Sequence, residues 1–208
     1  MEGYGMKRMK YLAAFAAAVV LSIFSLDARS GKKDELPFKY EARLGWCGYP
    51  TGDDLNFASG HNPFYSSHPI KDLFADYDGP TYMTGNIMAE MDFHFRKWFT
   101  LAVGVAANGI WKDKYDVLTD KLKGRESGFT LTVLPQARFT WINRDLVRLY
   151  SSLGLGLTGG SFDDRSETVI AAQAVPVGIT VGKRLFGFAE VGIGTVYIGG
   201  MFGIGYRF

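Results

Sequence analysis

Several residue types and patterns are scarce in this 208-residue sequence. Cys47 is the only cysteine, so an internal disulfide is excluded. The formal net charge is only +2, which argues against a nucleic-acid partner. After residue 24 there is no long uncharged apolar stretch, which excludes a helical membrane protein. In contrast, 26 glycines and 15% aromatic residues are high for a soluble α/β enzyme and ordinary for a β-barrel.

The first 30 residues have the features of an export signal. Three basic residues precede an apolar run over 11–24, and the small residues Ala28 and Ser30 suit cleavage after position 30. The run has about 14 residues, whereas a membrane-spanning helix needs about 20. We therefore predict a signal peptide over 1–30, export through the Sec pathway and a mature domain over 31–208. The alternative is an uncleaved anchor helix.

Strand-like segments of about 9 to 15 residues fill the mature chain, the length that a tilted membrane strand requires. Period-two alternation predicts eight of them, over 38–48, 80–93, 97–111, 127–142, 146–159, 168–182, 185–197 and 200–208. Tight polar connections around Arg96, Arg144 and Lys183 alternate with mostly longer ones. This alternation is typical of outer-membrane barrels, which have short periplasmic turns and longer external loops.

The two faces of the predicted strands differ in composition. In segment 146–159, Leu153 and Leu155 share one face, and Gly154 and Gly156 share the other. Glycine weakens a solvent-facing strand, but the interior of a narrow barrel needs small residues. We therefore expect the glycine-rich faces inside and the apolar faces toward lipid. Segment 168–182 leaves two phases open, with either Ala172, Ala174 and Pro176 or Gln173, Val175 and Val177 on the lipid side.

The same phase turns a set of charged residues inward. A Lys or Arg facing mid-bilayer lipid costs roughly 2–4 kcal/mol, and buried ions need partners. Eight strands leave just enough room for side chains, so we expect a filled, charge-paired interior instead of a wide channel. The set is Glu41, Arg43, Glu90, Asp92, Arg138, Arg148, Glu190 and Arg207, which Lys39 joins near the start of the first strand.

Aromatic residues gather near the ends of the segments, with small aliphatic residues between them. This placement favours interfacial girdles over ordinary core aromatics. The predicted girdle residues include Trp46, Phe93, Phe99, Trp111, Phe129, Trp141, Tyr197 and Phe208.

With these segments and the terminal run Gly203-Ile204-Gly205-Tyr206-Arg207-Phe208, the chain resembles the OmpA/OmpX-like small eight-stranded outer-membrane β-barrels over about residues 37 to 208. The resemblance implies an all-β, antiparallel up-and-down transmembrane barrel in the outer membrane of a Gram-negative bacterium. It also implies that Tyr206 and Phe208 belong to the signal read by the outer-membrane assembly machinery. The family includes adhesins, structural barrels, small pores and a few lipid-modifying enzymes, so it leaves the activity open.

Residues that could carry chemistry are few. The lipid A deacylases of this fold have a His-x-Ser motif on a strand, which His94-Phe95-Arg96 does not match. We predict no catalytic residue, no cofactor and no metal. The first long loop combines histidines and aspartates with aromatics, and a divalent-metal site is the alternative there. The preferred interpretation is contact with an extracellular partner through Phe57, His61, Phe64, Tyr65 and His68.

These features predict a non-enzymatic outer-membrane barrel that serves envelope structure or surface interaction through its loops. Its expected partners are outer-membrane lipid, the assembly machinery, and an extracellular ligand or host surface. The alternatives are a small pore, a lipid-modifying hydrolase or acyltransferase, and a soluble exported ligand-binding barrel.

Overall fold

The computed structural model describes residues 38–54, 77–116, 119–162 and 165–208. The predicted signal peptide and the loop residues Phe57, His61, Phe64, Tyr65 and His68 lie outside the described residues. In the part of the chain that is described, no helix has the length and apolar character needed to cross a membrane.

Antiparallel strands make up most of the described chain. They are β1 (Tyr40–Tyr49), β2 (Tyr77–Met83), β3 (Ile87–His94), β4 (Phe99–Tyr115), β5 (Leu122–Asn143), β6 (Val147–Phe162), β7 (Arg165–Gly182), β8 (Leu185–Gly194) and β9 (Ile198–Arg207). A single helical turn, α1 (Thr51–Asp53), follows β1.

The sheet closes on itself. Its order is β4-β3-β1-β9-β8-β7-β6-β5, and β5 pairs again with β4. The strand β2 adds no new position to the wall, because it pairs with β4 above the stretch that β3 occupies. The prediction of an eight-stranded, antiparallel, up-and-down barrel is therefore confirmed.

The predicted segment 80–93 is interrupted between β2 and β3. Gly85 has a φ of +76°, a conformation that side chains disfavour, and the Trp46 indole lies where its Cβ would be. Backbone bonds continue across the interruption, from Thr84 N to Gly109 O (3.0 Å) and from Cys47 N to Asn86 O (2.8 Å). The wall therefore stays closed although the strand is broken.

Four strands extend beyond the predicted segments on the side of the long loops. Here β4 and β5 form one hairpin, and β6 and β7 form another, so the predicted loops 112–126 and 160–167 are mostly strand. Cross-strand ion pairs join the two strands of the first hairpin, between Arg125 and Asp113 (2.7 Å) and between Lys114 and Glu126. These residues are hydrophilic. The alternation of apolar and polar residues in the sequence therefore ends before the strands end.

The outer surface of the barrel is apolar, and the ambiguous β7 also follows this rule. Gln173 and Val175 lie buried inside, whereas Pro176 and Val177 are both exposed. The pairing with β8 shifts register between Ala174 and Val177, which resets the alternation. The phase that puts Ala172, Ala174 and Pro176 outside is therefore correct, and the other phase is correct only from Val177 onward, after the irregularity.

Two residues do not lie where the pattern put them. Tyr197, predicted for a girdle, is 1% exposed and lies inside the barrel, because it belongs to the β8–β9 connection and not to a strand. Its backbone N–H and C=O bond the Gln173 side chain at 3.2 and 3.1 Å. Lys39, predicted to point inward, is exposed because it precedes β1.

Candidate functional site

The interior of the barrel near the short turns contains a network of ions. The eight charged residues expected inside come from β1, β3, β5, β6, β8 and β9, and all of them point inward on the period-two phase. In Glu41, Arg43, Glu90, Asp92, Arg138, Glu190 and Arg207 the side chains are 0–4% exposed, and in Arg148 the side chain is 11% exposed.

The deeper tier of this network contains two arginines and three carboxylates. Arg43 contacts Asp92 at 2.9 Å, and lies 3.8 Å from Glu90 and 3.6 Å from Glu190. Arg138 contacts Asp92, Glu90 and Glu190. Each guanidinium offers five donors in a planar fork, so one arginine can bind carboxylates from several strands at once. The tier therefore links β1, β3, β5 and β8 across the interior.

Two tyrosines extend the deeper tier. Tyr150 accepts a hydrogen bond from Arg43 (2.9 Å) and donates one to Glu190 (2.5 Å). Tyr197 donates to the other oxygen of Glu190 at 3.2 Å. Glu190 therefore accepts hydrogen bonds from two phenols and also lies near two guanidiniums.

The outer tier, nearer the short turns, is organised around Glu41. Its Oε2 accepts from Arg207 Nε at 2.9 Å, and it lies 3.4 Å from His94 Nε2 and 4.0 Å from Arg148 Nη1. Arg207 also donates to Thr180 and to backbone carbonyls of the β7–β8 turn. This tier thus has two guanidiniums for one carboxylate, which Arg43 of the deeper tier also contacts.

The network brings together three residues that could ligate a metal ion, but the neighbouring arginines oppose the binding of a cation. Ligand atoms of Glu41, Asp92 and His94 lie within 4.8 Å of one another. Both carboxylates are already bound by buried arginines, and the Arg43 guanidinium contacts both of them. A divalent ion would have to displace these arginines. The geometry therefore favours an ion-pair network over a metal centre at this position.

Above the ions, the interior is filled by apolar side chains. The buried residues that contact one another are Cys47, Met88, Ala106, Leu134, Ala171, Phe186, Phe188, Val196, Tyr197 and Met201. Interior glycines make room for the larger ones; for instance, a Cβ at Gly178 would overlap the Tyr150 ring. The charged and apolar layers together fill the middle of the barrel with side chains.

At the far end, α1 folds into the barrel mouth. Asp53 is 3% exposed, and its Oδ2 accepts bonds from Thr130 Oγ1 (2.6 Å) and Asn108 Nδ2 (2.9 Å). The Gly52 N–H donates to Thr195 O at 2.7 Å. Burial raises the pKa of the Asp53 carboxyl, and the two hydrogen bonds oppose this effect. The first long loop therefore begins inside the barrel.

The residues of the predicted assembly signal lie on the outer wall. The side chains of Tyr206 and Phe208 are 46% and 54% exposed, with ring centroids 6.3 Å apart. The backbone of Phe208 bonds that of Tyr40 in both directions, at 3.0 and 3.1 Å. The terminal aromatic thus lies at the seam where β9 meets β1.

Sequence reasoning missed some of the interior residues. His94 shares the period-two phase of Glu90 and Asp92, so the alternation alone could have placed it inside. Asp53 follows the strand and lies in a turn, where no periodicity applies. No protein-family model matches this chain, and no curated protein is significantly similar to it.

Proposed function

We propose that this protein is an integral outer-membrane β-barrel of a Gram-negative bacterium, and that it serves envelope structure or surface interaction. The observation that carries the proposal is the inverted distribution of polarity. The eight ions lie inside, while Leu153, Leu155 and Ile193 on the outer wall are 61–68% exposed. Soluble monomers rarely expose apolar patches larger than a few hundred Å². A lipid environment would bury this surface, at about 1.5–3 kcal/mol for each large side chain.

The spacing of the aromatic residues supports a membrane-spanning wall. Phe129 and Trp141 both lie on the outer face of β5, twelve residues apart, and they are 51% and 59% exposed. At about 3.3 Å per residue and a tilt of about 40°, their separation corresponds to about 30 Å across the membrane. This height matches the hydrocarbon core of a bilayer.

A substitution on the outer wall tests the membrane location. Leu155→Arg should lower the yield of heat-modifiable protein in the outer-membrane fraction, because a mid-bilayer arginine costs roughly 2–4 kcal/mol. Leu155→Met is the matched control and should behave like the parent. Recovery of the parent protein in the periplasm without detergent would instead support a soluble ligand-binding barrel.

The orientation of the barrel can be tested with single cysteines, since the native Cys47 is buried. Thr119, in the long β4–β5 hairpin, and Arg144, in a short turn, are both exposed. A membrane-impermeant maleimide should label Thr119→Cys on intact cells and Arg144→Cys only after the outer membrane is permeabilised. The reverse pattern would contradict the orientation in which the long hairpins face outward.

The long hairpins are the proposed interaction surface. The strands β4 to β7 extend past β8 and β9, and β7 pairs with β8 only from Gln173 onward. Over 165–171, one edge of β7 has no strand partner among the described residues. Such edges pair readily with added strands. Shortening the β6–β7 hairpin at 160–167, where this edge begins, should reduce adhesion of expressing cells to host-cell monolayers while the barrel remains heat-modifiable.

Two measurements separate this proposal from a pore and from an enzyme. Purified protein in planar bilayers should show no steady conductance, and regular single-channel steps would favour a pore. Lipid A from overexpressing cells should have an unchanged mass, whereas loss or gain of an acyl chain would favour a lipid-modifying enzyme.

A further inference from the structure

The ion network is balanced as a whole but not within its tiers. The deeper tier has one carboxylate more than it has guanidiniums. In the outer tier, Arg148 and Arg207 share Glu41, which also contacts Arg43. The positive excess therefore lies toward the short turns.

Arg148 is the least satisfied ion of the network. Its contact with Glu41 measures 4.0 Å, whereas Arg207 reaches the same oxygen at 2.9 Å. Among the described residues, its buried Nε has no hydrogen-bond partner. Phe38 lies against the guanidinium carbon at 4.2 Å, a contact that leaves the in-plane N–H donors unused. Buried donors of this kind normally have a partner.

Arg148 lines a recess that opens between the short turns. The recess has a cavity volume of about 20 Å³, and its mouth is open to solvent. Its other cationic lining residues include Arg96 and Lys97, which are exposed, and Arg138, whose buried Nε is also unpartnered. The Asn143 side chain donates to Lys97 O at 3.0 Å, which holds two turns together at the mouth.

The surface around the recess is also basic. Within the described ranges, the exposed charged residues of the short turns and of the segment before β1 are Lys39, Arg96, Lys97, Arg144, Asp145, Lys183 and Arg184. Clustered charges of one sign raise the local concentration of counter-ions. An anion entering here meets a positive field at the rim and unused guanidinium donors inside.

We propose that this recess binds one phosphate-type oxyanion, with Arg148 as its principal ligand. A guanidinium binds phosphate through paired N–H donors, and a phosphate would balance the positive excess of the outer tier. The ligand could be inorganic phosphate or a phosphate monoester, because both present the same oxygens. The proposal goes beyond the membrane role and does not depend on it.

Titration calorimetry on the folded full-length chain, in a nonionic detergent at low salt, tests the proposal. Inorganic phosphate should bind saturably at one site. Arg148→Gln should weaken binding by about tenfold or more, as expected for a lost charge-assisted bond. Arg144→Gln, an exposed cation of the same face that does not line the recess, is the control and should change binding less than about twofold.

Two further arms keep the test decisive. If Arg148→Gln loses its heat-modifiable form, Arg96→Gln replaces it, because Arg96 is exposed, and weaker binding is again expected. If glycerol 3-phosphate binds more tightly than inorganic phosphate, the ligand is a phosphate monoester. If inorganic phosphate binds more tightly, the ligand is the dissolved ion. Either result supports the site. An absence of saturable binding by either probe, or equal weakening by Arg144→Gln and Arg148→Gln, would overturn it.

Discussion

Removing Arg138 tests whether the ion network holds the barrel together. Arg138→Met deletes the guanidinium that contacts Glu90 and Asp92, whose side chains are 2% and 0% exposed. Arg43 would remain near both, but it already contacts Glu41 and Glu190. Loss of one partner from a buried ion group costs about 3–5 kcal/mol, so we expect the free energy of unfolding to fall by that amount.

A charge-neutral double variant separates this effect from lost packing. In Arg138→Met with Asp92→Asn, one positive and one negative group leave together, so no additional carboxylate is stranded. Buried ion groups replaced by neutral side chains often leave stability unchanged. We therefore expect the double variant to be more stable than Arg138→Met alone, although it carries one more substitution. This non-additivity is the signature of a coupled pair.

Urea unfolding in detergent, followed by tryptophan fluorescence, measures the effect. Arg125→Met is the control, because it breaks the exposed ion pair with Asp113 and should change the unfolding free energy little. If Arg138→Met is as stable as the parent, or if the double variant is the less stable of the two, the interior ions do not brace the barrel as described.

Three further outcomes are expected. Gly178→Ala should lower the unfolding free energy by about 1–3 kcal/mol, because its Cβ overlaps a buried tyrosine ring, whereas Gly187→Ala has open space and should be neutral. Similar urea midpoints for the two variants would contradict this. Because burial raises the pKa of Asp53, docking of α1 should be strongest when the carboxyl is protonated and should weaken as the pH rises through that pKa. The Gly52 amide shift should report this change, and Asp53→Asn, which keeps an acceptor oxygen, should abolish it. Phe208→Ala should reduce assembled protein in cells more than it reduces refolding in detergent, and an equal loss in both would argue against a role in the assembly signal.

The alternation of residue types carries much of the architecture, because a period-two pattern fixes which face of a strand each residue occupies. It placed Glu90, Arg138 and Glu190 on one side of the wall without any knowledge of their partners. It failed where the chain leaves the strand. Tyr197 and Asp53 reach the interior from connections, and their direction depends on the space that the closed wall leaves there.

The sequence also could not predict which ions of the network pair with one another, and the reason is different. Arg43 and Asp92 meet because the register of β1 against β3 places Glu41 opposite Asp92 and Arg43 opposite Glu90. The contact of Arg138 with the same carboxylate crosses the interior, and it depends on the stagger of all the intervening strands. Sequence spacing within one strand contains no information about that stagger.

If the barrel spans a membrane as proposed, the ion pair between Glu41 and Arg207 has a consequence for its insertion. These residues lie opposite each other on β1 and β9, the pair of strands that completes the ring. A half-inserted sheet would hold both charges apart in a medium that penalises each of them. Sealing of the ring therefore completes the pairing of Arg207 with Glu41, so insertion of the proposed membrane barrel would favour a nearly complete cylinder over hairpins that enter one by one.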